Sequence, residues 1–253
     1  MQYSLDDGWI APCIGCSRRF GLCLAALLVA NKVGVWLRSR PTAAYRRFFA
    51  GRWLFKDGPG DAPITILFVP GQTEPAYGRL NTGMAHRLAG AGYRVIRFDF
   101  SPIRGVEHVQ LNASHINHYC QQLKRTIKAV EGSGPVILLG KSFGGASASL
   151  VLDDSSVLGG LAFGYPFVSA RTSWDRLSHL SRLEKPFWII QGTEDSYGGM
   201  QLVETLLLSG TIQICWIENC DHGFIPTSAD GVASDTIEQL HAAIQLALLE
   251  LLG

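Results

Sequence analysis

The chain has 253 residues, 22 basic and 21 acidic, for a formal net charge of +1, with 47% hydrophobic and 17% charged residues. That composition excludes a disordered or collagen-like chain. The near-neutral balance, without a Lys/Arg stripe, also removes the attraction that dominates nucleic-acid binding, so no nucleic-acid partner is expected.

Residues 1–45 read as an N-terminal extension. Cys13-Ile-Gly-Cys16 has the two-residue gap of zinc and redox motifs, but no second pair completes a tetrahedral site. His108, His115 and His118 lack a supporting acidic ligand and read as surface histidines. Neither a metal nor a cofactor is therefore expected. Phe20 to Ala30 is an uninterrupted apolar run after Arg18-Arg19. It fits a signal-peptide core but falls short of the ~20 residues a membrane helix needs. Extending it to residues 20–37 gives a spanning length only by admitting Asn31 and Lys32. Three readings stay open: a helix packed on the domain or at an interface, a membrane anchor, and an export signal. If the segment spans, Lys32, Arg38, Arg40, Arg46, Arg47 and Arg52 behind it hold the remainder in the cytoplasm. A cytoplasmic location, with or without membrane association, is the expectation, and export is the alternative.

A single domain over residues 46–253 follows, long enough to bury its own core. Arg52 to Lys56 reads as a short strand and Asp57-Gly58-Pro59-Gly60-Asp61 as a turn. Ile64 to Val69 is fully apolar, as a strand covered on both faces requires. Tyr93 to Phe98, Val136 to Leu139, Leu158 to Phe163, Phe187 to Ile190 and Ile212 to Ile217 read the same way. Between them lie helical stretches: Arg79 to Ala89, Ser114 to Val130, Phe143 to Asp153, Met200 to Leu208 and Asp235 to Leu251. The alternation predicts an α/β fold, a mainly parallel sheet with helices on both faces. No long helical insertion separates the strands, so a minimal lid or none is expected. Ligands of such sheets bind beyond the carboxyl ends of the strands.

Val136 to Gly140 runs directly into Lys141-Ser142-Phe143-Gly144-Gly145 and a helix of small residues. This is G-x-S-x-G in a strand–turn–helix context, a nucleophile elbow. The turn is so sharp that Gly140 and Gly144 must carry no side chain beside Ser142. A bare G-x-S-x-G is weak; its partners give it weight. A serine nucleophile needs a base and an acid, in the chain order Ser, Asp, His. The strand at Phe187 ends in Gly192-Thr193-Glu194-Asp195, which makes Asp195 the acid and Glu194 the alternative. The last strand ends in Asn219-Cys220-Asp221-His222-Gly223, and of the seven histidines only His222 lies just after a late strand. Two backbone N–H groups are needed for an oxyanion hole. Phe143 supplies one, and Gln72, in the loop Pro70-Gly71-Gln72-Thr73-Glu74, is the candidate for the other, against the plainer reading of a simple turn. Lys141 is expected to point to solvent beside the elbow, the alternative being a positive charge that leans over the site and favours an acidic acyl group. Asp99 is expected to fix a turn, and Trp174, Tyr165 and Phe167 to line an acyl pocket or the core.

From about residue 60 the chain resembles the α/β-hydrolase superfamily, in its small dienelactone-hydrolase-like branch. It is similar to the hydrolase-like domains of testis-expressed and chromatin acetyltransferase-complex subunit proteins. The resemblance rests on Gly140-Lys-Ser-Phe-Gly-Gly145, Ala162-Phe-Gly-Tyr-Pro-Phe167, Gly192-Thr-Glu-Asp195 and Asp221-His-Gly223. It implies a minimal hydrolase fold with Ser142, Asp195 and His222 as the triad. The chain departs from relatives at Pro70, where they commonly carry histidine, and at Ser142, where dienelactone hydrolases proper carry cysteine. The expected function is a serine hydrolase of a small or medium carboxylic ester or thioester. The alternative is a non-catalytic hydrolase-like domain used for protein interaction.

Overall fold

The computed structural model describes residues 45–49, 52–101, 103, 111–130, 134–169, 174–228 and 231–253. The apolar segment at 20–37, the Cys13/Cys16 pair and His108 lie outside these residues. No described helix is long and apolar enough to cross a membrane.

In chain order the elements are β1 (Tyr45–Phe49), β2 (Arg52–Asp57), β3 (Thr65–Val69), α1 (Arg79–Gly90), β4 (Arg94–Phe98), α2 (Ala113–Val130), β5 (Val136–Lys141), α3 (Phe143–Ser149), β6 (Val157–Phe163), β7 (Phe187–Gly192), α4 (Met200–Val203), β8 (Ile212–Ile217) and α5 (Ala233–Leu252). Among the described residues the strands form one eight-stranded sheet in the order β1-β2-β4-β3-β5-β6-β7-β8. β1 and β2 are antiparallel to their neighbours, and every pairing from β4 to β8 is parallel. From β3 the chain first steps to β4 on one side, then returns to place β5 on the other. This reversal opens a crevice beyond the carboxyl ends of β3 and β5, the place where open α/β sheets bind ligands.

The apolar runs become strands because both faces are covered. Leu67, Val69 and Leu138 face one core with α2 and α3, contributed by residues such as Leu123, Ile127 and Ala146. Ile66, Phe68, Ile137 and Leu139 face the other, with Met84 and Leu88 of α1 and Leu240, Ile244 and Leu248 of α5. On α2 the buried set Ile116, Tyr119, Cys120, Leu123, Ile127 and Val130 repeats every three or four residues, one face of a 3.6-residue helix.

Two expectations need correction, and one strand, β1, lies where the sequence reading placed none. The stretch Met200 to Leu208 is helical only over Met200–Val203; beyond it the chain tightens into three-residue turns, Thr205 N–H to Leu202 O (3.0 Å) and Leu206 N–H to Val203 O (3.1 Å). α3 ends at Ser149 instead of Asp153, because the chain tightens into a turn through Val151 N–H to Ala148 O (3.1 Å) and Asp154 N–H to Val151 O (3.2 Å). The run around β4 also hides two buried arginines. Arg94 Nε donates to Thr65 Oγ1 (2.7 Å), and Arg97 is paired with Asp57 of β2 (Nε–Oδ2 2.8 Å).

Candidate active site

β5 is buried along its whole length and delivers Ser142 at its carboxyl end. Ser142 has φ 51° and ψ −117°, a left-handed conformation that an L-residue adopts only when its surroundings impose it. The neighbours explain how. A Cβ on Gly140 would overlap the Gly145 amide nitrogen. One on Gly144 would overlap Val69 O and stand 2.6 Å from Pro70 O. Gly140 and Gly144 are therefore required by close backbone approach. The turn is closed by Ser142 N–H donating to Phe163 O (3.1 Å) and Ala146 N–H to Ser142 O (3.1 Å).

Asp195 and His222 arrive from the ends of β7 and β8. Ser142 Oγ lies 2.9 Å from His222 Nε2, and His222 Nδ1 lies 2.8 Å from Asp195 Oδ2. An ionised carboxylate only accepts hydrogen bonds, so Nδ1 carries the proton and the Nε2 lone pair faces the serine hydroxyl. Asp195 is buried, 3% exposed, whereas Glu194 is exposed, which separates the two acids the sequence left open. The Tyr197 ring packs against the imidazole at 4.6 Å between centroids. The His222 turn is held by Asp221 Oδ1, which accepts from Gly223 N–H (2.7 Å) and Ile225 N–H (2.9 Å).

Sequence reasoning missed Gln191, the fully buried polar residue near the end of β7. Its Nε2 donates to Asp195 Oδ2 (2.8 Å) and its Oε1 accepts from Tyr165 N–H (2.7 Å). The available signal was an uncharged polar residue closing an otherwise apolar strand, Phe187-Trp-Ile-Ile-Gln191. Removing that amide leaves the buried carboxylate one donor short, which costs about 1–3 kcal/mol. Gln191→Leu is expected to destabilise the fold by that amount, read as a melting temperature lower by about 2–12 °C.

The loop after β3 lies beside the elbow. A Cβ on Gly71 would be 3.4 Å from Lys141 O and 3.9 Å from Ser142 Cβ. Gln72 follows directly, and its buried side-chain Nε2 has no hydrogen-bond partner among the described residues. The loop is tied down by Ala76 N–H to Asp99 Oδ1 (2.6 Å) and by Asn81 Nδ2 to Pro75 O (2.9 Å), so Asp99 holds the loop after β3, 23 positions away in sequence. Phe143 opens α3, and a first-turn N–H has no partner within its own helix. Its ring is wedged edge-on against Phe100, Tyr119 and Trp174, at 5.9, 5.4 and 6.5 Å between centroids. Trp174, Tyr165 and Phe167 are all buried in the core.

Lys141 does not point to solvent. It is 7% exposed. As the last residue of a strand covered on both faces, it turns inward over the rings of Phe163 (5.7 Å) and Phe224 (5.3 Å), and Nζ donates to the backbone carbonyl of His222. Burial pushes its ammonium down to about 8, a shift opposed by the charges of Asp195, Glu74 and Asp221. Burial also pushes the nearby Cys220 thiol up to about 12, so it is protonated at neutral pH.

A doubly covered, mainly parallel sheet that presents a strained serine at its switch point defines the class: an α/β hydrolase fold. A family model described as an alpha/beta hydrolase domain matches residues 63–248, and the chain belongs to that family. No curated protein sequence matches it. Solved structures share the architecture at low identity. An α/β serine hydrolase without a lid from Xanthomonas campestris is 19% identical, with a TM-score of 0.61 over 83% of this chain and 96% of that one. A serine hydrolase homologue from Coxiella burnetii is 17% identical, with a TM-score of 0.58 over 84% and 99%. An esterase from Pyrococcus furiosus is 15% identical, with a TM-score of 0.63 over 80% and 86%.

Proposed function

We propose that the protein is a serine hydrolase that cleaves a small or medium carboxylic ester or thioester through an acyl-enzyme. The observation that carries this reading is the unbroken line Ser142 Oγ–His222 Nε2, His222 Nδ1–Asp195 Oδ2, with both distances under 3 Å. His222 takes the hydroxyl proton as Ser142 Oγ attacks the carbonyl carbon, and Asp195 holds the imidazole tautomer and balances its charge. The backbone N–H groups of Phe143 and Gln72 receive the oxyanion. The tetrahedral adduct collapses as His222 returns the proton to the departing alcohol or thiol. Water, deprotonated by the same imidazole, then releases the acid and restores Ser142. The elbow and the loops around it also support a place in the small dienelactone-hydrolase-like branch, with serine at the position of that branch's cysteine.

The test is labelling by a fluorophosphonate probe, which phosphonylates only an activated serine. Wild-type protein is expected to label, and Ser142→Ala and His222→Ala to be silent. A folded wild-type chain that does not label overturns the reading and turns attention to a protein-interaction domain.

A further inference from the structure

We propose that Lys141 is a positioning residue for His222: its side chain, clamped over the Phe163 and Phe224 rings, grips the His222 carbonyl and sets the imidazole against Ser142. This rests on the serine-hydrolase reading of the same site.

The geometry joins two ends of the site through one side chain. Lys141 is the residue before the nucleophile, and Nζ reaches across 81 positions of sequence to the His222 carbonyl. The other bonds at this turn close it on itself, onto α5, or onto the end of β7, where Glu194 N–H donates to Cys220 O (3.1 Å) and Asn219 N–H donates to Thr193 Oγ1 (2.9 Å). Asp221 N–H donates to Ile225 O (3.0 Å), Phe224 N–H donates to Asp221 O (3.0 Å), and Thr236 Oγ1 donates to Phe224 O (2.6 Å). The Lys141 bond instead ties the histidine's own backbone to the nucleophile's strand. Room for it is left by Gly164, at φ 62°. A Cβ there would stand 2.5 Å from Lys141 Nζ, 3.2 Å from His222 O and 3.3 Å from His222 Cε1.

A merely structural role does not account for an ammonium in this place. Lys141 is buried, and no described ion pair includes it. The groups facing it are the carboxylates of Asp195, Glu74 and Asp221, which favour its charge without neutralising it by contact, and the Cys220 thiol, which is uncharged at neutral pH. A methionine would fill the same space without a buried charge, and buried charges are commonly neutral or costly to stability. The linkage has a definite sign. The folded-state pKa, about 8, lies below the ordinary 10.5. The unfolded chain therefore binds more protons between those values, and this residue makes stability rise with pH across that window.

The experiment compares wild type with Lys141→Met by fluorophosphonate labelling rate, by kcat and KM on an activated ester, and by melting temperature from pH 7 to 10.5. The expected variant melts at or above the wild-type temperature at pH 7 and lacks the residue's rise between pH 8 and 10.5. It labels about 10- to 100-fold more slowly, the loss being in kcat with KM changed less than about twofold. Labelling at the wild-type rate overturns the proposal, and so does a fall in melting temperature that tracks the loss of activity. A downfield proton signal from the His222–Asp195 hydrogen bond gives a readout independent of turnover: sharp in wild type and broadened in the variant is the expected result, and an unchanged signal overturns it. Should wild type itself fail to label, the hydrolase reading falls, while this signal still tests the positioning role.

Discussion

Replacing Asp195 with asparagine is expected to lower kcat/KM about 10⁴-fold while the chain stays folded, measured on an activated ester beside a thermal melt. The size follows from what surrounds the carboxylate. Oδ2 accepts from His222 Nδ1 (2.8 Å) and from Gln191 Nε2 (2.8 Å), and Oδ1 accepts from Tyr197 N–H (2.7 Å). Every partner is a donor, and an asparagine amide must turn its own NH₂ toward one of them. If that group faces the imidazole, Nδ1 becomes the acceptor and the proton moves to Nε2, which can no longer take one from Ser142. If it faces Tyr197 N–H, the carbonyl keeps the histidine bond without a full negative charge, and the imidazolium formed in the reaction loses its counter-charge. A loss below tenfold would mean that Asp195 is not the acid of the site.

The second large effect is on stability. Asp57→Ala is expected to destabilise the fold by about 3–5 kcal/mol, because it strands a buried guanidinium. Arg97 is 2% exposed. Its Nε and Nη2 bond to Asp57 Oδ2 (2.8 Å) and Oδ1 (3.2 Å), while Nη1 donates to Ala76 O (2.6 Å) and Thr82 Oγ1 (2.8 Å). With the carboxylate gone, the fork keeps its two neutral acceptors and loses the one counter-charge in contact with it among the described residues. For a chain of this size the melting temperature should fall by on the order of 10 °C. The double variant Asp57→Leu with Arg97→Met removes both charges and should recover most of that loss. If the two single losses simply add, the pair contributes nothing as a pair. Ala76 belongs to the loop that carries Gln72, so the same ion pair also steadies one wall of the crevice.

The interior strands were readable because β3 and β5 are apolar on both faces, a pattern that few other local structures produce. β1 was not. Tyr45-Arg-Arg-Phe-Phe49 neither alternates nor forms an apolar run, and its pairing with β2 is a tertiary fact. Asp195 and His222 could be singled out because each follows a strand whose end was legible, and the fold brings them to Ser142. Lys141 and Gln191 escaped because their meaning lies in partners far along the chain: the His222 carbonyl for one, Tyr165 and Asp195 for the other. The apolar reading of Tyr93 to Phe98 likewise passed over Arg94 and Arg97, which a core strand tolerates only because β2 and β3 supply Asp57 and Thr65.

The order of the strands also bears on how the site comes into being. Ser142 follows β5, Asp195 follows β7, and His222 follows β8 at the edge of the sheet. Eighty residues separate the serine from its histidine, and each parallel pairing between them closes a long loop before it gains a contact. The helices of a refolding chain can therefore form well before His222 is brought to Ser142. On the proposed serine-hydrolase reading, reactivity toward a serine probe reports the docking of the final strand and is expected to recover only when the last parallel pairing is made.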